Sequence, residues 1–293
     1  MGTASWLVGY DDDRQAWICR NSWGTRFGGD SHPDGTGGGF FMIGYGDSLI
    51  SGTMYGCHGV QVPTGSRLAQ RVGDMDGDRQ AEFLVSSPWG IGVLKQSGQT
   101  MTAPMMAPNG TRFGGWLLNT ADDSLGAVAD YSGDGAAEVL VVSPWGVGVL
   151  GLTGGTLNSV AMAPNGSHPG SWVLNTETDE YGPVGDLDGD GKAEIVVRNA
   201  SGIGVLKVDG GAITSVMTAA NGARFGQWLL NSGDNVFGPV ADLDGDGHAE
   251  LVVASPWGVG MLKLSGGSFT APMMAPNGTR FGGWLLDTAD NEF

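Results

Sequence analysis

Most of the chain is written in short apolar runs with a period of two. Gly258-Val-Gly-Met-Leu-Lys-Leu264 alternates small and large residues, and Ala249-Glu-Leu-Val-Val-Ala-Ser255 is rich in β-branched ones. Phe269-Thr-Ala-Pro-Met-Met274 follows after a Ser-Gly-Gly turn. Branched side chains suit half-buried strands. Clusters of Gly, Asp and Asn cut the runs at short intervals, as tight turns require. No stretch carries helical periodicity, so the predicted class is all-β.

The pattern repeats at a spacing of 56 residues, giving units at about 68–123, 124–179, 180–235 and 236–291. Residues 103–118 recur unchanged as 271–286. Four strands per unit at a period of about 40–60 residues predict the blades of a β-propeller. The domain division is therefore 1–63 and 64–293. In the first part, runs at 6–10, 16–20, 39–45 and 55–60 predict an antiparallel meander. Closure by four blades alone and closure with the meander as a fifth blade both fit; the fifth-blade arrangement is the one expected.

One stretch of each unit concentrates carboxylates. These are Asp74-Met-Asp-Gly-Asp-Arg-Gln-Ala-Glu82, Asp130-Tyr-Ser-Gly-Asp-Gly-Ala-Ala-Glu138, Asp186-Leu-Asp-Gly-Asp-Gly-Lys-Ala-Glu194 and Asp242-Leu-Asp-Gly-Asp-Gly-His-Ala-Glu250. Oxygens from positions 1, 3, 5 and 9 of a glycine-rich turn, with a carbonyl from position 7, suit a hard cation such as calcium. The first loop offers Asp74, Asp76, Asp78, the Gln80 carbonyl and Glu82. The second offers Asp130, Ser132, Asp134, the Ala136 carbonyl and Glu138. The third offers Asp186, Asp188, Asp190, the Lys192 carbonyl and Glu194. The fourth offers Asp242, Asp244, Asp246, the His248 carbonyl and Glu250.

A metal-free Asx-type turn is the competing reading. Converging acidic groups without a cation repel, which favours structural calcium at up to four sites. Ser132 removes one charge, and Arg79 stands at position 6 where Gly is favoured. The third and fourth loops are therefore expected to hold calcium best, the first less well and the second least.

The four loops hold 15 of the 31 acidic residues, so they account for much of the net charge of -17. That charge excludes nucleic acid as a partner, because phosphate binding needs clustered Lys and Arg. A hydrophobic fraction of 41% suffices for a core, and no apolar run has the length of a membrane span. Cys19 and Cys57 both precede the repeats, and a bridge and two free thiols fit equally. No secretory leader is visible after Met1.

Phe237-Gly-Pro-Val, Asp242-Leu-Asp-Gly-Asp-Gly and Val252-Val-Ala-Ser-Pro256 resemble the FG-GAP repeat of integrin alpha-chain propellers and related VCBS-type bacterial repeats. Leu125-Gly126 and Tyr181-Gly182 fill the same opening position, and Ser87-Pro88 and Ser143-Pro144 the same closing one. The third unit departs with Asn199-Ala-Ser-Gly202. The resemblance implies a calcium-stabilised, non-enzymatic propeller at the cell exterior that binds a glycan or protein ligand.

Residues 8–12, 16–25 and 39–46, with the run Asn21-Ser-Trp-Gly-Thr25, resemble the C-terminal part of papain-like cysteine peptidases. In that family the Asn orients the catalytic His and the Trp shields that contact; Asn21 and Trp23 match these positions. Thr3 stands where the His is expected, and neither Cys19 nor Cys57 is at the nucleophile position. The resemblance implies ancestry without peptidase activity. Two alternatives stay open: an accessory propeller for an upstream peptidase half, and an assembly module that self-associates.

Trp116, Trp172, Trp228 and Trp284 recur once per unit among apolar neighbours and are expected to pack between blades. Trp89, Trp145 and Trp257 lie in Ser-Pro-Trp-Gly turns, with Ser201 in the third unit. A turn Trp offers a flat face of the kind sugar sites use; an ordinary packed aromatic is the competing reading. Met105, Met106, Met273 and Met274 are expected to fill core space. Asn109, Asn165 and Asn277 match the glycosylation acceptor pattern but read more simply as Asn-Gly turns.

Overall fold

The structure, a computed structural model, describes residues 5–11, 16–21, 40–44 and 71–291. The chain divides into two compact units, Met1–Arg67 and Leu68–Phe293. In the first, β1 (Ser5–Asp11), β2 (Ala16–Asn21) and β3 (Phe40–Gly44) form an antiparallel sheet in that order. Ser5 pairs with Asn21, and Arg20 with Phe40. The expected meander is thus present for three strands. Trp23, Cys57 and the expected fourth strand lie outside the described residues.

The second unit is a row of four-stranded antiparallel sheets. They are β4 (Val72–Gly73), β5 (Glu82–Ser87), β6 (Gly90–Ser97) and β7 (Thr100–Pro108); then, after a hairpin of β8 (Arg112–Phe113) and β9 (Trp116–Leu117), β10 (Ser124–Ala129), β11 (Glu138–Ser143), β12 (Gly146–Thr153) and β13 (Thr156–Pro164). The third sheet is β14 (Glu180–Gly185), β15 (Glu194–Asn199), β16 (Gly202–Asp209) and β17 (Ala212–Ala220), followed by the hairpin β18 (Arg224–Phe225) and β19 (Trp228–Leu229). The fourth is β20 (Val236–Ala241), β21 (Glu250–Ser255), β22 (Gly258–Ser265) and β23 (Ser268–Pro276), followed by β24 (Arg280–Phe281) and β25 (Trp284–Leu285). There is no helix among the described residues. The class is all-β, and each sheet is a propeller-type blade.

Local chemistry places the turns. The acidic stretch joins the first and second strands of each blade, and Ser-Pro-Trp-Gly joins the second and third in every blade but the third, which has Asn199-Ala-Ser-Gly202. The opening Tyr181-Gly-Pro-Val and Phe237-Gly-Pro-Val steps form a bulge in the first strand, between Tyr181 and Val184 and between Phe237 and Val240. A bulge bends and twists the strand that carries it. Gly258 begins the third strand of its blade because a Cβ there would overlap the Ala275 carbonyl oxygen.

The core lies between sheets. One cluster joins Met75, Ile91, Trp116 and Leu118 of the first unit to Val139, Leu150 and Leu157 of the second. A second joins Tyr131, Val147 and Trp172 to Ile195 and Leu206; a third joins Leu187, Val205 and Trp228 to Leu251 and Leu262. Trp116 and Trp228 are fully buried, and Trp172 nearly so. Each indole lies on a glycine of the next blade: a Cβ at Gly260 would lie 2.7 Å from Trp228, and one at Gly204 would lie 3.0 Å from Trp172. The indole N–H groups donate to Asp123, Asp179 and Asn235.

Two expectations need correction. Trp284 is 63% exposed, because its partner would be a following blade. Met105 is buried but Met106 is 65% exposed, because neighbours on a strand face opposite ways. Trp228→Ala should cost about 3–5 kcal/mol in urea unfolding, from lost burial and a cavity. Trp284→Ala should cost less than about 1 kcal/mol in the same measurement.

Candidate metal centre and the tryptophan turns

Each acidic loop is first a backbone trap. In the third loop Asp186 accepts from the Gly189 N–H at 2.7 Å and from the Gly191 N–H at 2.9 Å. Asp74 and Asp242 use both oxygens in the same way, on Gly77 and Arg79 and on Gly245 and Gly247, and Asp130 on Gly133 and Gly135. Position 5 accepts from the N–H of position 7: Asp78 from Gln80, Asp134 from Ala136, Asp190 from Lys192 and Asp246 from His248. Arg79 adopts the left-handed conformation (φ 72°) that the sister loops give to glycine. The Asx-turn reading is therefore correct as far as it goes.

Position 9 opens the second strand and is buried. Glu82, Glu138, Glu194 and Glu250 are 0%, 3%, 0% and 1% exposed. One oxygen of each accepts the N–H of position 2, at 2.7 Å for Met75, Tyr131 and Leu187 and 2.9 Å for Leu243. Burial raises the Glu138 carboxyl above its usual range and pushes Glu194 to about 7. Adjacent loops are also tied together. The Ala137 N–H donates to the Asp74 carbonyl at 2.6 Å, Ala193 to Asp130 at 2.7 Å and Ala249 to Asp186 at 2.8 Å.

The expected ligands converge. Asp74, Asp76 and Glu82 bring one oxygen each within 4.8 Å of one another, as do Asp130, Asp134 and Glu138, Asp186, Asp188 and Glu194, and Asp242, Asp244 and Asp246. Three of these loops also contain a group that the expected ligand sets omit. Lys95 Nζ lies 2.6 Å from Asp76, 2.7 Å from Asp78 and 2.7 Å from Glu82. Lys207 Nζ lies 2.6 Å from Asp188, 2.5 Å from Asp190 and 3.5 Å from Glu194. Lys263 Nζ lies 2.6 Å from both Asp244 and Asp246 and 3.0 Å from Glu250. Hydrogen bonds to Asp244 and Asp246 raise the Lys263 ammonium, and the same bond lowers Asp246. For Lys95 and Lys207 partial burial pulls downward, but the carboxylates outweigh it and both are raised.

The lysines come from the third strand, opposite the buried glutamate: Glu82 pairs with Lys95 and Glu250 with Lys263. In the second blade Glu138 pairs with Gly151. There the loop keeps Asp130, Asp134 and Glu138, and the buried Ser132 hydroxyl has no hydrogen-bond partner. A lysine 21 residues after position 1 in three units, and Gly in the fourth, was the signal available in the sequence.

At the other end of the second strand stand the tryptophan turns. The Ser87, Ser143 and Ser255 hydroxyls accept the N–H of Trp89, Trp145 and Trp257 at 3.2, 3.3 and 3.3 Å, fixing the turn. The indoles remain 52%, 38% and 38% exposed. Trp145 lies against Trp116 with centroids 4.6 Å apart, and Trp257 against Trp228 at 4.8 Å. In the third unit Ser201 puts no ring on Trp172, and a cavity of about 250 Å³ opens beside Ser171, Trp172, Ser201 and Thr218. Asn109, Asn165 and Asn277 donate to the carbonyls of Pro88, Pro144 and Pro256, so these amides tie the turns together. Asn21 ends β2, and the described residues place no other peptidase-like group beside it.

Residues 237–268, within the fourth unit, match the FG-GAP repeat family model. No protein of curated function matches the chain. Among solved structures the chain is similar to an Agrocybe aegerita lectin described for recognition of non-reducing terminal N-acetylglucosamine. That pair is 22% identical with a TM-score of 0.49, covering 73% of this chain and 54% of the lectin chain. It is also similar to the Photorhabdus luminescens Tc holotoxin pore, at 17% identity and a TM-score of 0.45, over 96% of this chain and 12% of that one. A third is the V. cholerae biofilm matrix protein Bap1, at 20% identity and a TM-score of 0.31, over 94% and 39%. The chain thus spans about half the length of the lectin.

Because both Asp186 oxygens hold backbone N–H groups, Asp186→Ala should destabilise by about 1–3 kcal/mol even in excess EDTA. Thermal unfolding in chelator checks this; an effect that vanishes in EDTA contradicts the backbone role.

Proposed function

We propose that the chain is a non-catalytic, extracellular β-propeller module that binds a glycan through its tryptophan turns. The observation that carries this reading is the presentation of Trp89, Trp145 and Trp257 at equivalent, serine-fixed turns. An exposed indole is a stacking surface for the apolar face of a sugar ring, and its N–H supplies a polar handle. The cavity at Trp172 adds the Ser171, Ser201 and Thr218 side chains, which suit sugar hydroxyls. The charge of -17 opposes nucleic acid, and no described helix is long and apolar enough to cross a membrane.

Calcium enters this reading as a structural ion. The second loop fits it: Asp130, Ser132, Asp134, Glu138 and the Ala136 carbonyl are oxygen donors with no lysine among them. A bound calcium would supply charge neutralisation there. The first, third and fourth loops do not fit, because an ammonium already lies among their carboxylates.

The test is a glycan array followed by titration of any hit. Binding to a defined subset of sugars is expected, weakened about tenfold or more by Trp145→Ala or Trp257→Ala. Silence across the array by a folded protein sinks the glycan reading in favour of a protein ligand.

A second reading, self-association, is favoured by one observation. Phe281 and Trp284 are 50% and 63% exposed, whereas Phe225 and Trp228 are 4% and 0% exposed. Gly92 corresponds to Gly148, Gly204 and Gly260, and among the described residues no tryptophan lies over it. The hairpin of one copy therefore matches the first blade of another. Concentration-dependent sedimentation that Trp284→Ser abolishes supports this pairing; a strict monomer removes it.

A further inference from the structure

We infer that Lys95, Lys207 and Lys263 are the resident cations of their blades, so that three of the four acidic loops hold their fold without a metal. The geometry suits an ammonium. Lys95 has three N–H donors, and three carboxylate oxygens lie within 2.7 Å of its nitrogen, one each from Asp76, Asp78 and Glu82. These separations are normal for charge-assisted hydrogen bonds. A calcium ion would need the same oxygens at about 2.3–2.6 Å. The two cations cannot share the space.

The loop's remaining donors are in part committed. Position 1 has both oxygens on backbone N–H groups in every loop, the second included, so part of its acceptor capacity is already used by the turn. The buried Oε1 atoms of Glu82, Glu194 and Glu250 lie 2.7, 3.5 and 3.0 Å from the lysine nitrogens, and the ammonium is what compensates their charge. The lysine stems are themselves covered: their side chains are 14%, 13% and 18% exposed. Displacing an ammonium by a metal would push that stem into water.

An independent observation comes from comparing the units. The first, third and fourth loops have four carboxylates and a lysine reaching in from the third strand. The second has three carboxylates and Gly151 in the lysine's place. The carboxylate lost is at position 3, where Ser132 replaces Asp, and position 3 is a direct partner of the lysine in the other three blades. Acid and base disappear together, so the position-3 carboxylate and the strand lysine are either both present or both absent in each blade. A site kept for calcium has no need of this coupling. An ion pair does.

Calcium binding measured by isothermal titration on the intact chain tests the inference. The expected stoichiometry is one or zero. One supports both the resident lysines and calcium in the second loop. Zero leaves the lysines standing and removes calcium from the proposed function. Two or more sites at millimolar calcium or below overturn the inference.

Lys207→Met keeps the stem and removes the charge. Its Tm in EDTA should fall by several degrees, calcium should restore it, and the stoichiometry should rise by one. An unchanged Tm in EDTA overturns the inference. If Lys207→Met fails to fold with or without calcium, Lys263→Met gives the same readout in a blade whose outer face is already exposed. Wild-type Tm should be the same in EDTA and in calcium to within the contribution of a single loop.

Discussion

A carboxylate buried at the root of every blade sets the terms for what surrounds it. Glu82, Glu138, Glu194 and Glu250 are carboxyl groups taken almost wholly out of water. Such burial is costly unless hydrogen bonds and an opposite charge answer it. Backbone N–H groups at position 2 answer one oxygen, which curls the acidic stretch over the start of the second strand. The other oxygen calls for a cation. Because the glutamate opens the strand, whatever supplies that cation also clamps the first three strands of the blade to one another.

The blades then depend on each other. Three of the four apolar clusters are shared between neighbouring sheets, and the small fourth one, Val259, Ala275 and Leu286, lies within the last unit. Each Trp reaches forward onto a glycine of the next unit, and each loop N–H donates back to a carbonyl of the preceding one. Stability in such an array is close to a sum of units and nearest-neighbour interfaces. That is why identical residues have different surroundings by position: Leu187 is fully buried between loops, while Leu243, its counterpart in the last loop, is 48% exposed.

Much of this was legible in the sequence. The period, the strands, the turns and the burial of Trp116, Trp172 and Trp228 followed from pattern and repetition. The loop carboxylates were correctly brought together. The occupant of their centre was not read, because a lysine on a strand looks like an ordinary solvated side chain. Its partner is set by cross-strand register, which pairs Lys95 with Glu82, and register is a property of the folded sheet. Ser132 was read as a lost ligand that weakens a metal site. Beside Gly151 it becomes half of a paired change, and on the inference drawn above the second loop is the one left for calcium.

The placement of the two conspicuous features separates their roles. The acidic loop lies before the second strand and the tryptophan turn after it, as Glu138 and Ser143 show at opposite ends of β11. Six residues of strand span about 20 Å, so a cation in the loop cannot touch a ligand on the indole. Any influence of the cation on binding must pass through the stability of the blade. On the reading of Lys95 and Lys263 as resident cations, the blades that carry Trp89 and Trp257 hold those turns with a charge the chain itself supplies.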